Sequence, residues 1–501
     1  MRSKFRLGCG HRPGPIVQAR TRRQRGVSLP AALSVMVLLF FACVLAAQLD
    51  PLAQASIASA FVMRKASELP RQTGIWRSRG YGWIWVIKNG RLKVYDAADG
   101  YCSKKGDPEG RLEDLRDRFE VSGDGNTLRV SFDDPDVHYV FDRIDALPAS
   151  CDAPERTDAP AVVDAVASIF SAHYAFFAER NIDWPAAVAK ARSQVSTTTT
   201  DAELFTIVKD MVSVTDDFHI DLSGRVDGAK RSYSPGRGPT MNALAAQAAD
   251  QGLSENTLLQ RWEKHYWSAI GETVLKDHAH RAGNDVIRYG FAGEGIGYIA
   301  VRSMTGFANK RTVDAEIDAV EDAMERAMRA LRSAKAIIVD LSRNDGGYDY
   351  LARLIAGRFA AERTFAYSKR AGDYPDAPPQ KLYVEPSKGR RFTGPVYVLT
   401  TDETVSAGEI LTMCLRALPN VTHIGEVTRG VFSDTLHKRL PNGWSLTVSN
   451  EVYTDSEGKL WEGPGIPPLV DLEVFSKTDV MTGHVAAVRT VVDMARSRLG
   501  L

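Results

Sequence analysis

Apolar and polar residues alternate across residues 80–95 in two runs separated by Asn89-Gly90. A period of two predicts paired strands, and Asn-Gly accepts the positive φ of a tight hairpin. Further short strands are expected at 128–132 and 138–141, so residues 70–152 read as a small all-β module. The period then changes. Val163, Val166, Ile169 and Phe170, and later Leu204, Ile207, Val208 and Met211, fall at helical spacing, which predicts a helical-bundle subdomain over 158–223. The Ser/Thr-rich stretch 196–201 supplies a cap for the second of these helices. A polar stretch with Gly and Pro at 224–239 leads to another helix near 253–267.

Over 285–475 strands and helices alternate. Apolar runs at 298–301, 336–340 and 396–399 are bounded by an amphipathic helix marked by Val313, Ile317, Val320, Met324 and Leu331, and by one marked by Ile410, Leu411, Cys414 and Leu418. This order predicts an α/β domain with a buried sheet and crossover helices. A C-terminal helix is expected within 476–501.

The first 50 residues differ from the rest. Eight basic residues from Arg2 to Arg25 precede an uncharged stretch from Gly26 to Leu49. This is the make-up of a signal peptide or of a single membrane anchor. The chain is therefore expected to be exported, to the periplasm or held in the membrane facing outward. Ala46, Ala47 and Ala58 are candidate cleavage points, and Cys43 is a weaker lipidation candidate. In an oxidising compartment Cys102 and Cys151 are free to pair, while Cys414 lies on an apolar helical face. The rest of the 501 residues is ordinary for a globular chain, with 25% charged residues and a net charge of +1, so no nucleic-acid partner is expected.

Two stretches carry candidate chemistry. Thr400-Thr-Asp-Glu-Thr-Val-Ser-Ala-Gly-Glu409 puts Ser406 where the loop after a buried strand enters a helix. There its hydroxyl can stand exposed while the Ala407 N–H points at the same space, as an oxyanion requires. The same residues, Ser406-Ala-Gly-Glu409, also fit a capping box that merely starts a helix. Asp340-Leu-Ser-Arg-Asn-Asp-Gly-Gly347 is a strand followed by a Gly-rich turn, which makes the Gly347 N–H a second candidate donor.

Together these stretches resemble the C-terminal-processing (tail-specific) serine peptidase family, whose members carry D-L-R-x-N-x-G-G and, after a further strand, T-x-S-A-x-E. Gly425-Glu-Val-Thr428, Leu440-Pro-Asn-Gly-Trp-Ser-Leu446 and Glu462-Gly-Pro-Gly-Ile466 extend the likeness in the same order, as does Asp217-Phe-His219 after the helices. The resemblance implies a crotonase-like or ClpP-like catalytic domain, peptide-bond hydrolysis of a protein or peptide substrate, and no metal or cofactor. It puts Ser406 on the nucleophile and Gly347 and Ala407 on the oxyanion hole. Tail-specific members use a lysine as base, but Val431 stands at that place here. Tricorn-like and retinoid-binding-like relatives form the nearer branch. By that likeness His219 falls on the general base and Glu462 on the carboxylate that steers it, with Phe218 where the tricorn pattern has serine. Pro468-Leu469 replaces the family's Pro-Asp. No PDZ module is expected in 225–285. A catalytically inactive relative that binds an apolar ligand or a protein partner is the alternative.

Gly293-Glu-Gly-Ile-Gly297 precedes a strand and is no dinucleotide fingerprint. Asp277-His-Ala-His280 reads as an exposed helix end rather than a metal site, and Arg370, Lys381, Arg390 and Arg391 as a solvated loop face.

Overall fold

The structure, a computed structural model, describes residues 71–104, 119–132, 134–310 and 312–501. The expected leader over 1–50 lies outside the described residues. Among them, no helix is long and apolar enough to cross a membrane.

The apolar runs of the second half build a seven-stranded sheet. Its spatial order is His280–Ala282, Ile287–Gly293, Ile296–Val301, Ala336–Asp340, Val396–Thr400, Val421–Gly425 and Val470–Asp471. The strands from Ile296–Val301 onward run parallel, and the first two are antiparallel additions. Every residue of Ala336–Asp340 and Val396–Thr400 is buried, because helices cover both faces. Ile337, Val339, Val396 and Val398 pack under the helices Val313–Ala330, Asp349–Ala356 and Ala407–Arg416. Their neighbours Ile338, Tyr397 and Leu399 face the helices Pro239–Asp250, Glu255–Ile270 and His484–Leu499. Each such buried side chain contributes about 1.5–3 kcal/mol.

The helices Ala159–His173, Trp184–Gln194 and Asp201–Ser213 pack on one another around Phe170, Trp184 and Leu204. Thr200 and Glu203 form a capping box at the third. Before them lies a seven-stranded antiparallel sheet, running from Gly74–Ser78 to Tyr139–Ile144, with Asn89 and Gly90 at positive φ in the hairpin between Trp83–Lys88 and Arg91–Ala98. Cys102 and Cys151 are joined in a disulfide across a separation of 49 residues. Side-chain hydrogen bonds fasten this sheet to the rest. The buried Lys438 Nζ donates to the Tyr81 carbonyl (2.6 Å) and to Asp96 Oδ1 (3.0 Å), and the Tyr81 hydroxyl donates to Glu451 Oε1 (2.6 Å). Residues Leu69–Leu501 thus group as one unit.

Two regions depart from the pattern reading. The polar stretch after residue 222 is a hairpin, Leu222–Val226 with Ala229–Tyr233, turned by Asp227 and Gly228 at φ 50° and 79°. It joins Thr435–Arg439 and Ser445–Ser449 in a four-stranded sheet, which its exposed polar residues conceal in the sequence. Arg370 and Lys381 lie not in a loop but on the paired strands Thr364–Ala371 and Gln380–Val384.

Candidate active site

Ala336–Asp340 and Val396–Thr400 are adjacent parallel strands, so the loops at their C-terminal ends meet. In sheets of this kind that edge is where ligands bind. Asn344 stitches the two loops together. Its N–H donates to the Glu403 carbonyl (3.0 Å) and its own carbonyl accepts from Val405 (3.1 Å). Its side chain donates to the Val301 carbonyl (2.7 Å) and accepts from the Gly346 N–H (2.9 Å). Asn344 has no role in the sequence reading; the signal for it is an Asn two residues before a Gly-Gly turn.

Gly346 and Gly347 hold φ of 74° and 138°. A Cβ on Gly347 would stand 2.6 Å from the Met304 backbone, and one on Gly346 would stand 2.5 Å from Ser406 Cβ and 3.1 Å from its Oγ. Only glycine allows this approach. Ser406 itself has φ 54° and ψ −125°, a sparsely populated conformation that costs on the order of 1–3 kcal/mol. It makes no side-chain cap to the helix Ala407–Arg416. Neither Ser406 Oγ nor the N–H groups of Gly347 and Ala407 take a hydrogen-bond partner among the described residues.

The strain is held by a buried carboxylate. Glu409 is held across the loop by two backbone donors. Its Oε1 accepts from the Gly430 N–H (2.7 Å) and its Oε2 from the Val431 N–H (2.8 Å). Val431 in turn accepts the Ser406 N–H at 3.1 Å. Burial pushes the Glu409 carboxyl up, to about 7, against these donors.

Past Val431, the segment continues to the other two residues of the expected triad. Glu462 is buried, with Oε2 accepting from the Phe432 (2.8 Å) and Ser433 (3.1 Å) N–H groups and Oε1 from Arg180 Nη2 (3.0 Å). Burial and then the Asp217 carboxylate push its carboxyl up, while Arg180 opposes them. His219 is half-buried. Its N–H donates to Asp217 Oδ1 (3.0 Å), and its carbonyl accepts from Thr447 Oγ1 (2.6 Å). Burial lowers its pKa below 6.5, with Asp217 and Asp434 pulling the other way. Its Nδ1 is buried without a partner.

The loops thus bring Ser406, Gly347 and Ala407 together, and the segment 431–434 carries both Glu462 and His219 beside them. A hydrogen bond from His219 to Ser406 Oγ is not formed, and Glu462 spends its oxygens on Arg180 and the backbone rather than on His219. Arg180, Glu409 and Asp434 are neighbours of the site that local sequence did not reveal, because each acts on a segment distant in the chain. A cleft of about 440 Å³ opens beside Val431, lined also by Thr428, Arg429, Gly463, Arg180 and Lys477. Among the described residues no cluster of His, Cys, Asp and Glu has the arrangement of a metal site.

The sequence profile of peptidase family S41 matches residues 295–472. The carboxy-terminal processing protease CtpA of Bacillus subtilis (strain 168) is 28% identical over 179 residues, which are 36% of this chain and 35% of that protein. The chain spans about a third or less of the length of the curated relatives it matches. A candidate peptidase from Parabacteroides merdae ATCC 43184 superimposes with a TM-score of 0.54 at 23% identity, over 68% of this chain and 97% of that one. Mature CPAF in complex with lactacystin does so with 0.50 at 10%, over 68% and 98%. These two likenesses show a shared fold. Residues 295–472, which hold both loops that meet at Ser406, are similar to peptidase family S41.

Proposed function

We propose that this chain is a serine peptidase that hydrolyses peptide bonds of exported proteins or oligopeptides. The observation that carries the proposal is Ser406 in its strained conformation at a helix N-terminus, packed on Gly346, with the Ala407 and Gly347 N–H groups unoccupied. Ser406 Oγ attacks the carbonyl carbon, and the two N–H groups receive the oxyanion. A serine hydroxyl at its ordinary pKa needs a base. His219 is that base in this reading: its lowered pKa keeps the ring neutral and able to accept the hydroxyl proton at neutral pH. Apo geometry at such sites is commonly loose, and the pair tightens when substrate binds. Glu462 acts as a positioning residue, anchoring the Phe432–Ser433 backbone next to His219. The parallel sheet with crossover helices supports a crotonase-like or ClpP-like layout for the catalytic domain. The basic and apolar leader supports export.

The unpartnered His219 Nδ1 and the valine at position 431 favour a second reading, a relative that binds without cleaving. Fluorophosphonate labelling of the full chain separates the two. Adduct on Ser406, lost in Ser406→Ala and strongly reduced in His219→Ala, is the expected result. Labelling that survives His219→Ala discards the base, and no labelling at all leaves the binding protein.

A further inference from the structure

At the end of the strand Ala336–Asp340, the structure holds a polar cluster that the proposed chemistry does not use. Asp340 is fully buried and accepts four hydrogen bonds: from Tyr298 OH (2.6 Å), His484 Nε2 (2.8 Å), Ser342 N–H (2.9 Å) and Ser342 Oγ (2.6 Å). A carboxylate so supplied fixes the histidine tautomer, because Nε2 must carry the proton. The other ring nitrogen, Nδ1, is left to pair elsewhere. That atom is buried and has no partner. A polar atom left unpaired in the interior costs on the order of 1–3 kcal/mol, so a hydrogen-bonding partner from outside the chain is called for.

His484 lines a cavity of about 450 Å³, a size that suits a small organic ligand. Tyr266, whose ring stacks on the imidazole at 4.5 Å, forms a wall with Ile270, Leu275 and Tyr298. Within that wall the helix Glu255–Ile270 runs on into a single π-turn, Gly271–Leu275, a feature that recurs at functional sites. The charged lining is unequal: Lys276, Arg281 and Arg288 against Glu272. Arg288 is tied to Asp285 and stacked on Trp267; Arg281 reaches the same carboxylate at 3.4 Å but is exposed, as is Lys276.

We propose that this cavity binds a small amphipathic carboxylate. Its aryl or alkyl body lies against Tyr266, Ile270, Leu275 and Tyr298. A hydroxyl on that body pairs with His484 Nδ1, and the carboxylate meets Lys276 and Arg281. The site shares no lining residue with the cleft beside Val431 and includes neither Ser406 nor His219, so it stands whether or not the chain is a peptidase.

Gly271 gives a clean test. It lines the cavity in helical conformation, and a Cβ there would meet only Ala279 Cβ, at 4.0 Å. Gly271→Phe therefore fills the cavity without backbone strain. Titration calorimetry of the full chain with 4-hydroxyphenylacetate is expected to show saturable binding. Its 4-methyl analogue and its neutral amide are each expected to bind about tenfold more weakly, a loss of one hydrogen bond or one charge contact. Gly271→Phe should abolish binding while the unfolding temperature stays at the wild-type value. If that variant does not fold, the surface pair Lys276→Glu with Arg281→Glu decides, and about tenfold weaker binding is expected. No saturable binding of the acid up to roughly 10 mM, equal binding of acid and amide, or unchanged binding in the folded variants overturns the proposal.

Discussion

Replacing Gly346 by alanine tests whether the nucleophile's placement depends on the close approach of the two loops. The new methyl would begin 2.5 Å from Ser406 Cβ, 3.0 Å from the Val405 carbonyl oxygen and 3.1 Å from Ser406 Oγ. Carbon atoms pack at about 3.5–4.0 Å, so something must move by about 1 Å. Neither neighbour is the loose end of a long side chain. Ser406 is pinned by its N–H bond to Val431, and Gly346 by its N–H bond to Asn344 Oδ1. The overpacking costs about 1–3 kcal/mol, and holding alanine at φ 74° adds about 1–2 kcal/mol. Gly443 is the control, since it sits at φ 85° with nothing within 4 Å of a Cβ, so Gly443→Ala pays only the backbone part. A nucleophile displaced by about 1 Å loses on the order of a hundredfold in rate. Urea unfolding and the rate of fluorophosphonate labelling at Ser406 measure the two effects. The expected outcome is a folded Gly346→Ala chain, less stable than Gly443→Ala by about 1–3 kcal/mol and labelled about a hundredfold more slowly. Wild-type labelling in Gly346→Ala would refute the reasoning.

Three further outcomes are expected. Glu409→Gln turns an amide donor toward one of two buried N–H groups, so it should cost about 2–4 kcal/mol by urea midpoint and slow labelling; an unchanged midpoint sinks the clamp assigned to Glu409. Burial lowers the His219 pKa below 6.5, and a base works only when unprotonated. Labelling should therefore rise with pH through a midpoint below 6.5 and level off above it; a midpoint above that value counts against His219. Reduction of Cys102–Cys151, which closes a loop of 49 residues, should give the mass shift of two alkylated thiols and lower stability by roughly 4 kcal/mol; no shift would deny the bond.

Much of the architecture is legible because it is local or periodic. Asn89-Gly90 announces its hairpin through backbone chemistry that two residues carry by themselves. The apolar runs of Ala336–Asp340 and Val396–Thr400 can only be buried strands, and the helices Val313–Ala330 and Ala407–Arg416 follow from a stripe of apolar residues. Ser406, Ala407 and Gly347 could be singled out for the same reason, since each sits at a strand end where the turn residues follow directly in sequence.

Tertiary structure decided what spacing left open. Ser406-Ala-Gly-Glu409 fits a capping box and an oxyanion-bearing helix start equally well. The choice was made by Gly430 and Val431, which come 21 and 22 residues after Glu409 and capture its carboxylate. Glu462 could have been a surface glutamate, but Arg180, 282 residues away in the chain, holds it inside. The hairpin at Leu222–Val226 and Ala229–Tyr233 was hidden because an exposed edge strand carries polar residues on both sides, so no alternation survives to mark it. The His484 cavity is wholly a product of packing. Its members come from the helix Glu255–Ile270, the turn Gly271–Leu275, the strands His280–Ala282, Ile287–Gly293 and Ile296–Val301, and the last helix, and no local pattern relates them. A buried polar group takes whichever partner the fold delivers, and that partner is chosen by the path of the whole chain.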